Sequence, residues 1–599
     1  MGTRSNRLSI GLVSALIAAL QAAPVAAQAT VRASVNSLGV QGNADTYFPA
    51  ISADGRYVAF ESHASNLVSG DTNGRWDVFV RDRVTGNTER VSVDSSGVQG
   101  NGDCVDPSFV HAYPAISADG RYVAFFSIAS NLVPGDTNAK WDIFVHDRAS
   151  HTTERLSVDS SGAQGNGHSF YPSISADGRY VAFQSAASNL VAGDSGSDDI
   201  FVRDRLIGTT ERISVDPLGG QADSSSGYPS ISSDGRFVAY HSFATNLVAG
   251  DSNGQADIFV RDRVSGVTER ASVTSLGMQA NNASSFPSLS GDGRYVAFQS
   301  TASDLVAGDT NFALDVFVHD RVGGTTERIS QSSLGAQANN TSWFPSMSAD
   351  GRYVAFESDA TNLVSGDTNG QRDIFLRDRT NGTTERISVD TLGTQGNQLS
   401  LYASISSDGR SVSFESYAYN LVPSDTNSVD DVFVRSLLDS GVTFCSPGQQ
   451  GIRACPCAPG TDAPHDLGHG CSSALHNSGG LLVGTGTPVA GAATDTLVLS
   501  ASDIGNGLTI FIEGSSAGAG LAFGDGVMCV NGTLKRFGTT SASARTASYP
   551  DDAGDPPISV FTGASAGQTK YYQVYYRSPV AWCNAATFNI TNGYVIAWQ

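Results

Sequence analysis

Charge is scarce in this 599-residue chain, at 16% of residues, and aromatic side chains make up 9%. That is too little charge for a coiled coil or long helical array, while a 40% hydrophobic content is too high for wholesale disorder. Basic residues are the rarer sign, 36 against 58 acidic ones, for a formal charge of −22. A chain this acidic is a poor partner for nucleic acid or anionic lipid. Past the N-terminus no stretch reaches the ~18 apolar residues of a membrane span, and helical periodicity is missing. Glycine is what abounds, at 65 residues.

Arg4 and Arg7 precede an apolar stretch from Ile10 to Ala19 and a small-residue segment from Ala22 to Ala29. This reads as a secretory signal peptide over residues 1–27, cut after Ala27 or Ala29. The mature protein is therefore expected in the periplasm or outside the cell. Residues 28–442 carry 28 basic and 49 acidic residues, and residues 443–599 carry 6 and 9. The acidity belongs to the first region, where a solvated surface accounts for it.

The segment Tyr47-Phe-Pro-Ala-Ile-Ser-Ala-Asp54-Gly55-Arg56-Tyr-Val-Ala-Phe60 recurs, with its Asp-Gly pair at Asp54, Asp119, Asp177, Asp234, Asp292, Asp350 and Asp408. A near-constant period means one supersecondary unit repeated, each copy burying its apolar faces against its neighbours. Each unit holds four candidate strands, in the first copy Pro49–Ser52, Tyr57–Ser62, Asp77–Arg83 and Glu89–Val93. Tight turns at 53–56 and 84–87 join them, where Gly supplies positive φ and Asp bonds the backbone two residues on. The expected fold is all-β: a seven-bladed propeller over 28–442, followed by a β-sandwich-like module over 443–599. Blade seven lacks its own Glu-Arg-x-Ser-Val strand, and Val31–Val35 matches it, so the N-terminal segment is expected to close the ring. Val442–Phe444 is the alternative.

Ser52-Ala-Asp-Gly-Arg-Tyr-Val-Ala-Phe60 with Asp77-Val-Phe-Val-Arg-Asp82 resembles the WD40-like repeat of TolB-type propeller proteins. The resemblance covers residues 30–437 and implies a secreted or periplasmic binding scaffold.

Long connections such as 63–76 and 94–112 fall on one face of such a propeller, and binding usually resides on long loops carried by rigid scaffolds. Near that face one position varies from blade to blade: Glu61, Phe126, Gln184, His241, Gln299, Glu357 and Glu415. It suits either a ligand-contacting ring or polar residues satisfying buried loop backbone. The second blade's insertion, Asp103–Phe109 with His111, breaks the repeat most visibly. The same loops repeat an Asp/Asn/Asp pattern: Asp71/Asn73/Asp77, Asp136/Asn138/Asp142, Asp251/Asn253/Asp257, Asp309/Asn311/Asp315, Asp367/Asn369/Asp373 and Asp425/Asn427/Asp431. These oxygens suit structural calcium; Asx-turns before a strand explain them equally without metal. No other cofactor is called for. The recurring Arg81-Asp82-Arg83 and Glu89-Arg90 charges are expected to form ion pairs across one hairpin.

Six of the 7 cysteines, Cys445, Cys455, Cys457, Cys471, Cys529 and Cys583, lie in the C-terminal module. In an exported protein they are expected to form three disulfides, the rival being a zinc site with His465, His469 and His476. Cys104 is left over, either buried or available to another molecule. Gly514-Ser-Ser516-Ala-Gly518 fits a nucleophile-elbow pattern but lacks the helix-forming sequence that must follow. The expected function is a non-enzymatic scaffold for a protein or glycan ligand. Two alternatives stand beside it: a hydrolase or lyase using His241, Glu61, Glu357 and Glu415, and a structural envelope component.

Overall fold

The computed structural model describes residues 29–105 and 114–437 in full and, from residue 442 on, the backbone of strands. Seven four-stranded antiparallel sheets make up the first region. Blade one runs Thr46–Ile51, Tyr57–Ser62, Asp77–Asp82 and Asn87–Arg90 from axis to rim. Each later blade repeats this order, and the described residues of this region contain no helix. In blade seven the outermost strand is the N-terminal Ala29–Arg32, paired antiparallel with Asp431–Ser436. The alternative closing strand, Val442–Cys445, pairs instead with Gly593–Ala597.

The second and third strands of each blade are buried on both sides, which is why they read as nearly unbroken apolar runs. Val58, Ala59, Phe60, Val78, Phe79 and Val80 are all fully buried. Their two faces pack against the preceding and following blades, so the hydrophobic core lies between sheets.

The repeated charges do not all pair across one hairpin as the sequence leads one to expect: some pair within a blade and others join neighbouring blades. Arg56 pairs with Asp82 on the adjacent strand at 2.7 Å, whereas Arg148 reaches back to Glu89 of the preceding blade. The same link recurs at Arg205–Glu154, Arg263–Glu211, Arg321–Glu269 and Arg379–Glu327. Each of these arginines also lies over an aromatic ring of the preceding blade, as Arg148 does over Tyr57 at 4.4 Å. Sheets stacked face to face bring such long side chains of neighbouring blades within reach of one another, a relation local spacing does not reveal.

The ring-closing seam lacks both links, because Val31 stands where Glu89 does and Ser411 where Tyr57 does. There Arg83 donates to the Gly55 carbonyl and to Ser436 Oγ, the latter at 2.9 Å. Burial pushes its guanidinium down to about 10.

In the C-terminal region the strands described are antiparallel, with Gly507–Gly514 between Lys535–Ala542 and Thr569–Arg577. Ser516–Phe523 is a strand, so the Ser516 pattern lacks the helix its chemistry requires. Residues 1–27, expected to be a signal peptide, residues 106–109 and His111 of the blade-two insertion, and the side chains of Cys445, Cys455, Cys457, Cys471, Cys529 and Cys583 lie outside the described residues. Cys104 is buried between blades one and two. Burial pushes its thiol well above the ordinary range, the state of an inert core cysteine.

Candidate functional site

The mouth of the channel on the long-loop face is built by a bulge in the inner strands of blades one and three to seven. Pairing slips between Tyr47 and Ala50, and likewise in blades three to seven. The bulged residue is aromatic and left-handed in every described case: Phe48, Tyr171, Tyr228, Phe286, Phe344 and Tyr402, at φ of 45 to 54°. Bulky side chains rarely adopt this conformation, and it turns these rings toward the axis. There they touch in series, with Tyr171–Tyr228 and Tyr228–Phe286 centroids 4.3 Å apart and Phe48–Tyr402 at 4.8 Å. The resulting aromatic collar narrows the channel; below it a cavity of about 240 Å³ is walled by Pro and Ser. The sequence reading passes over these residues because an aromatic repeated in every blade looks like scaffold. The available signal was its place directly before Pro in an axial strand, in every described case but Tyr402, which precedes Ala403.

A bulge frees a backbone N–H, and the variable ring position supplies acceptors for it. Phe48 N–H donates to Glu415 Oε2 at 3.1 Å, Phe344 N–H to Gln299 Oε1 at 2.9 Å and Tyr402 N–H to Glu357 Oε1 at 2.5 Å. Phe126 is buried against Trp141 and Phe170. The other three ring residues hold atoms without a hydrogen-bond partner among the described residues: both oxygens of Glu61, Gln184 Oε1 and His241 Nδ1. Buried polar atoms are nearly always paired.

Burial sets the charge state of this ring. It raises the Glu61 and Glu415 carboxyls well above the ordinary range, helped by Glu415 and by Asp430 respectively. Glu357 is pushed up to about 7 and Asp430 to about 7, also by burial. The same cause holds His241 down at about 4. Burial thus favours the uncharged forms at these positions, which offer hydrogen-bond donors and acceptors.

Around it the blades differ. Tyr47 stacks on Trp76 at 5.0 Å, with His63 beside Trp76. Arg372 lies 3.7 Å from the centre of the Trp343 ring and pairs with Asp359 at 3.0 Å and Glu357 at 3.5 Å. Phe243 is 52% exposed. Gly227 leaves a notch in which an added Cβ would stand 2.7 Å from Gln184 Oε1 and 3.1 Å from His241 Nε2. Of the four groups considered for acid/base chemistry, Glu61, Glu415 and Glu357 act on one another around the ring and Glu357 faces Arg372, while His241 stands apart among the rings of Tyr228, Phe243 and Phe286.

The Asp/Asn/Asp loops are tied by guanidinium groups. Arg90 stands 3.0 Å from Asp71 and 3.2 Å from Asp77, and the Asn73 amide donates to Asp77 at 2.8 Å. Asn73 Oδ1 accepts from Arg75 N–H, an Asx-turn. Arg155, Arg270, Arg328, Arg386 and Arg32 hold the corresponding places beside Asp136/Asp142, Asp251/Asp257, Asp309/Asp315, Asp367/Asp373 and Asp425/Asp431. An arginine lies among the oxygens of each of these loops, and its sequence distance from them hides the relation. Asn138, Asn253, Asn311, Asn369 and Asn427 repeat the role of Asn73.

Glu357→Gln keeps the acceptor for Tyr402 and removes the titration. Because the native carboxyl is raised, the folded chain retains a proton that the unfolded chain has released between about pH 4.5 and 7, so the stability it contributes is lost as pH rises through that window. The variant should match the parent near pH 4 and exceed its stability by on the order of 3 kcal/mol at pH 8. Urea titrations at the two pH values check this; an equal difference at both would contradict it.

No protein-family model matches the chain, and no curated protein does either. Among solved structures, TolB from Acinetobacter baumannii aligns at 18% identity over 48% of this chain and 55% of that one, with a TM-score of 0.28. The chain thus matches about half the length of that protein. A putative TolB from Agrobacterium tumefaciens aligns at 18% identity over 55% and 90%, TM-score 0.30. An oligogalacturonate lyase in complex with manganese aligns at 11% over 69% and 93%, TM-score 0.42. These are likenesses of fold. The class defined by the sheets themselves is a seven-bladed β-propeller.

Proposed function

We propose that this chain is an exported, non-enzymatic binding scaffold that holds a protein or glycan ligand at the channel mouth on its long-loop face. One observation carries the reading. The bonds that build the blades repeat around the ring, yet at the mouth the residues become individual, and Glu61, Gln184 and His241 keep buried polar atoms without partners among the described residues there. A ligand with hydroxyl or amide groups satisfies such atoms, while Tyr47, Trp76 and Trp343 offer flat apolar faces beside them. The collar beneath favours a ligand lying across the mouth over one threading the channel. The separation of His241 from any carboxylate favours binding over acid/base chemistry, which needs converging groups.

The test is titration calorimetry of the full chain against glycans, peptidoglycan fragments and envelope proteins, followed by Trp343→Ala and Tyr47→Ala. Each variant is expected to weaken the ligand found by about tenfold or more, as anchoring aromatics do. Val264→Ala, in a short-loop-face hairpin, should leave affinity unchanged. Mouth variants that bind like the parent would move the site elsewhere.

A further inference from the structure

Blade two departs from its sisters at two positions that meet in space. In blade one, Arg81 on the third strand donates through Nη1 to Thr88 Oγ1, the Gly86 carbonyl and the Asn36 carbonyl. Blades three, four, six and seven keep this arginine, whereas blade two has His146 and blade five His319. The hairpin glycine beside it is left-handed. A Cβ added at Gly86, Gly208, Gly266 or Gly382 would stand 3.6 to 3.7 Å from that arginine's Nη2.

In blade two this glycine is replaced by His151, which keeps the left-handed backbone at φ 56°. Its side chain therefore starts toward the volume that a guanidinium fills elsewhere and that the shorter His146 leaves vacant. Both imidazoles line a cavity of about 400 Å³ between blades one and two, together with Asp94. Blade five has the first replacement without the second, since Gly324 retains φ 64°.

The hydrogen bonds assign the tautomer of His146. Its Nδ1 lies 2.9 Å from Thr153 Oγ1, and the Thr153 hydroxyl proton is committed to the Val93 carbonyl. Nδ1 thus carries the ring proton, and Nε2 keeps its lone pair for the cavity. Neutral imidazole is the ligating form.

We propose that His146 Nε2 and the His151 imidazole bind one divalent transition-metal ion of the imidazole-preferring kind, Zn²⁺, Ni²⁺ or Cu²⁺, in this cavity. Two nitrogen donors suit these ions and not calcium or magnesium. Among the described residues no cluster of three His, Cys, Asp or Glu side chains forms a metal site, so water completes the coordination. The site is separate from the channel mouth and independent of the ligand proposed there.

The test is calorimetric titration of the full chain with Ni²⁺ and, separately, Zn²⁺, in parent, His146→Arg, His151→Gly and His319→Arg forms. The first two variants restore residues that sister blades carry, so both are expected to fold, with melting temperature as the check. One class of site should appear in the parent and in His319→Arg. It should weaken by at least about tenfold in His146→Arg and in His151→Gly, the scale on which metal sites respond to lost support. A parent that binds neither ion, or a folded variant at 146 or 151 that binds as the parent does, overturns the assignment. If one variant melts early, the other decides.

Discussion

Deleting residues 29–36 should leave no cooperatively folded propeller at 25 °C. The strand they form bonds along Asp431–Ser436, and its removal exposes a full sheet edge. It also removes Arg32, which stands 3.0 Å from Asp425 and 3.3 Å from Asp431, both almost fully buried. Breaking a buried ion pair by removing one partner costs about 3–5 kcal/mol. Thr30 Oγ1 donates to the Val389 carbonyl and Ser34 Oγ to Asp431, and each lost bond costs about 1 kcal/mol more. Together these consume most of a typical stability of roughly 5–15 kcal/mol. Circular dichroism melts of the deletion and of Arg32→Ala measure the two parts. A deletion that melts within about 3 °C of the parent, the shift expected for ~1 kcal/mol, would show that the seam does not hold the ring.

Gly178→Ala should cost about 3–5 kcal/mol, through backbone strain and overpacking together. Gly178 sits at φ 71°, and a Cβ there would come within 2.2 Å of Tyr122 Cδ2. That ring is itself fixed between Arg121 at 4.8 Å and Arg205 at 4.3 Å. Gly193 is the control, with φ 77° and nothing within 4 Å of an added Cβ. Gly193→Ala should therefore show the backbone part alone, about 1–2 kcal/mol. Urea unfolding of both variants separates the contributions. Equal losses would mean that the Asp-Gly turn needs glycine for conformation only, and that blade contact at Tyr122 is incidental.

The propeller was legible because its evidence is periodic. The Asp-Gly spacing counts the blades, the apolar runs give strands buried on both faces, and the match of Val31–Val35 to Glu89–Val93 places the closing strand. The candidate site was half legible. Variation at Glu61, Gln184, His241, Gln299, Glu357 and Glu415 marks the ring, but the same residues gave no sign of which accept backbone bonds and which do not. That division depends on Phe48, Phe344 and Tyr402, which approach from the next blade. The collar was invisible for a related reason: an aromatic seen in every repeat carries no distinguishing mark in one dimension.

Sequence alone determined the number of blades, the strand order and the identity of the closing segment, because these follow from local patterns repeated at a near-constant interval. Tertiary structure decided the relations between residues distant in sequence: Arg148 with Glu89 of the preceding blade, Arg90 among the carboxylates of its blade's long loop, Glu415 beside Phe48 of the next blade, and His151 on the same cavity as His146. Between blades the partners are set by how far one twisted sheet turns against the next, and that angle arises from packing across the whole ring.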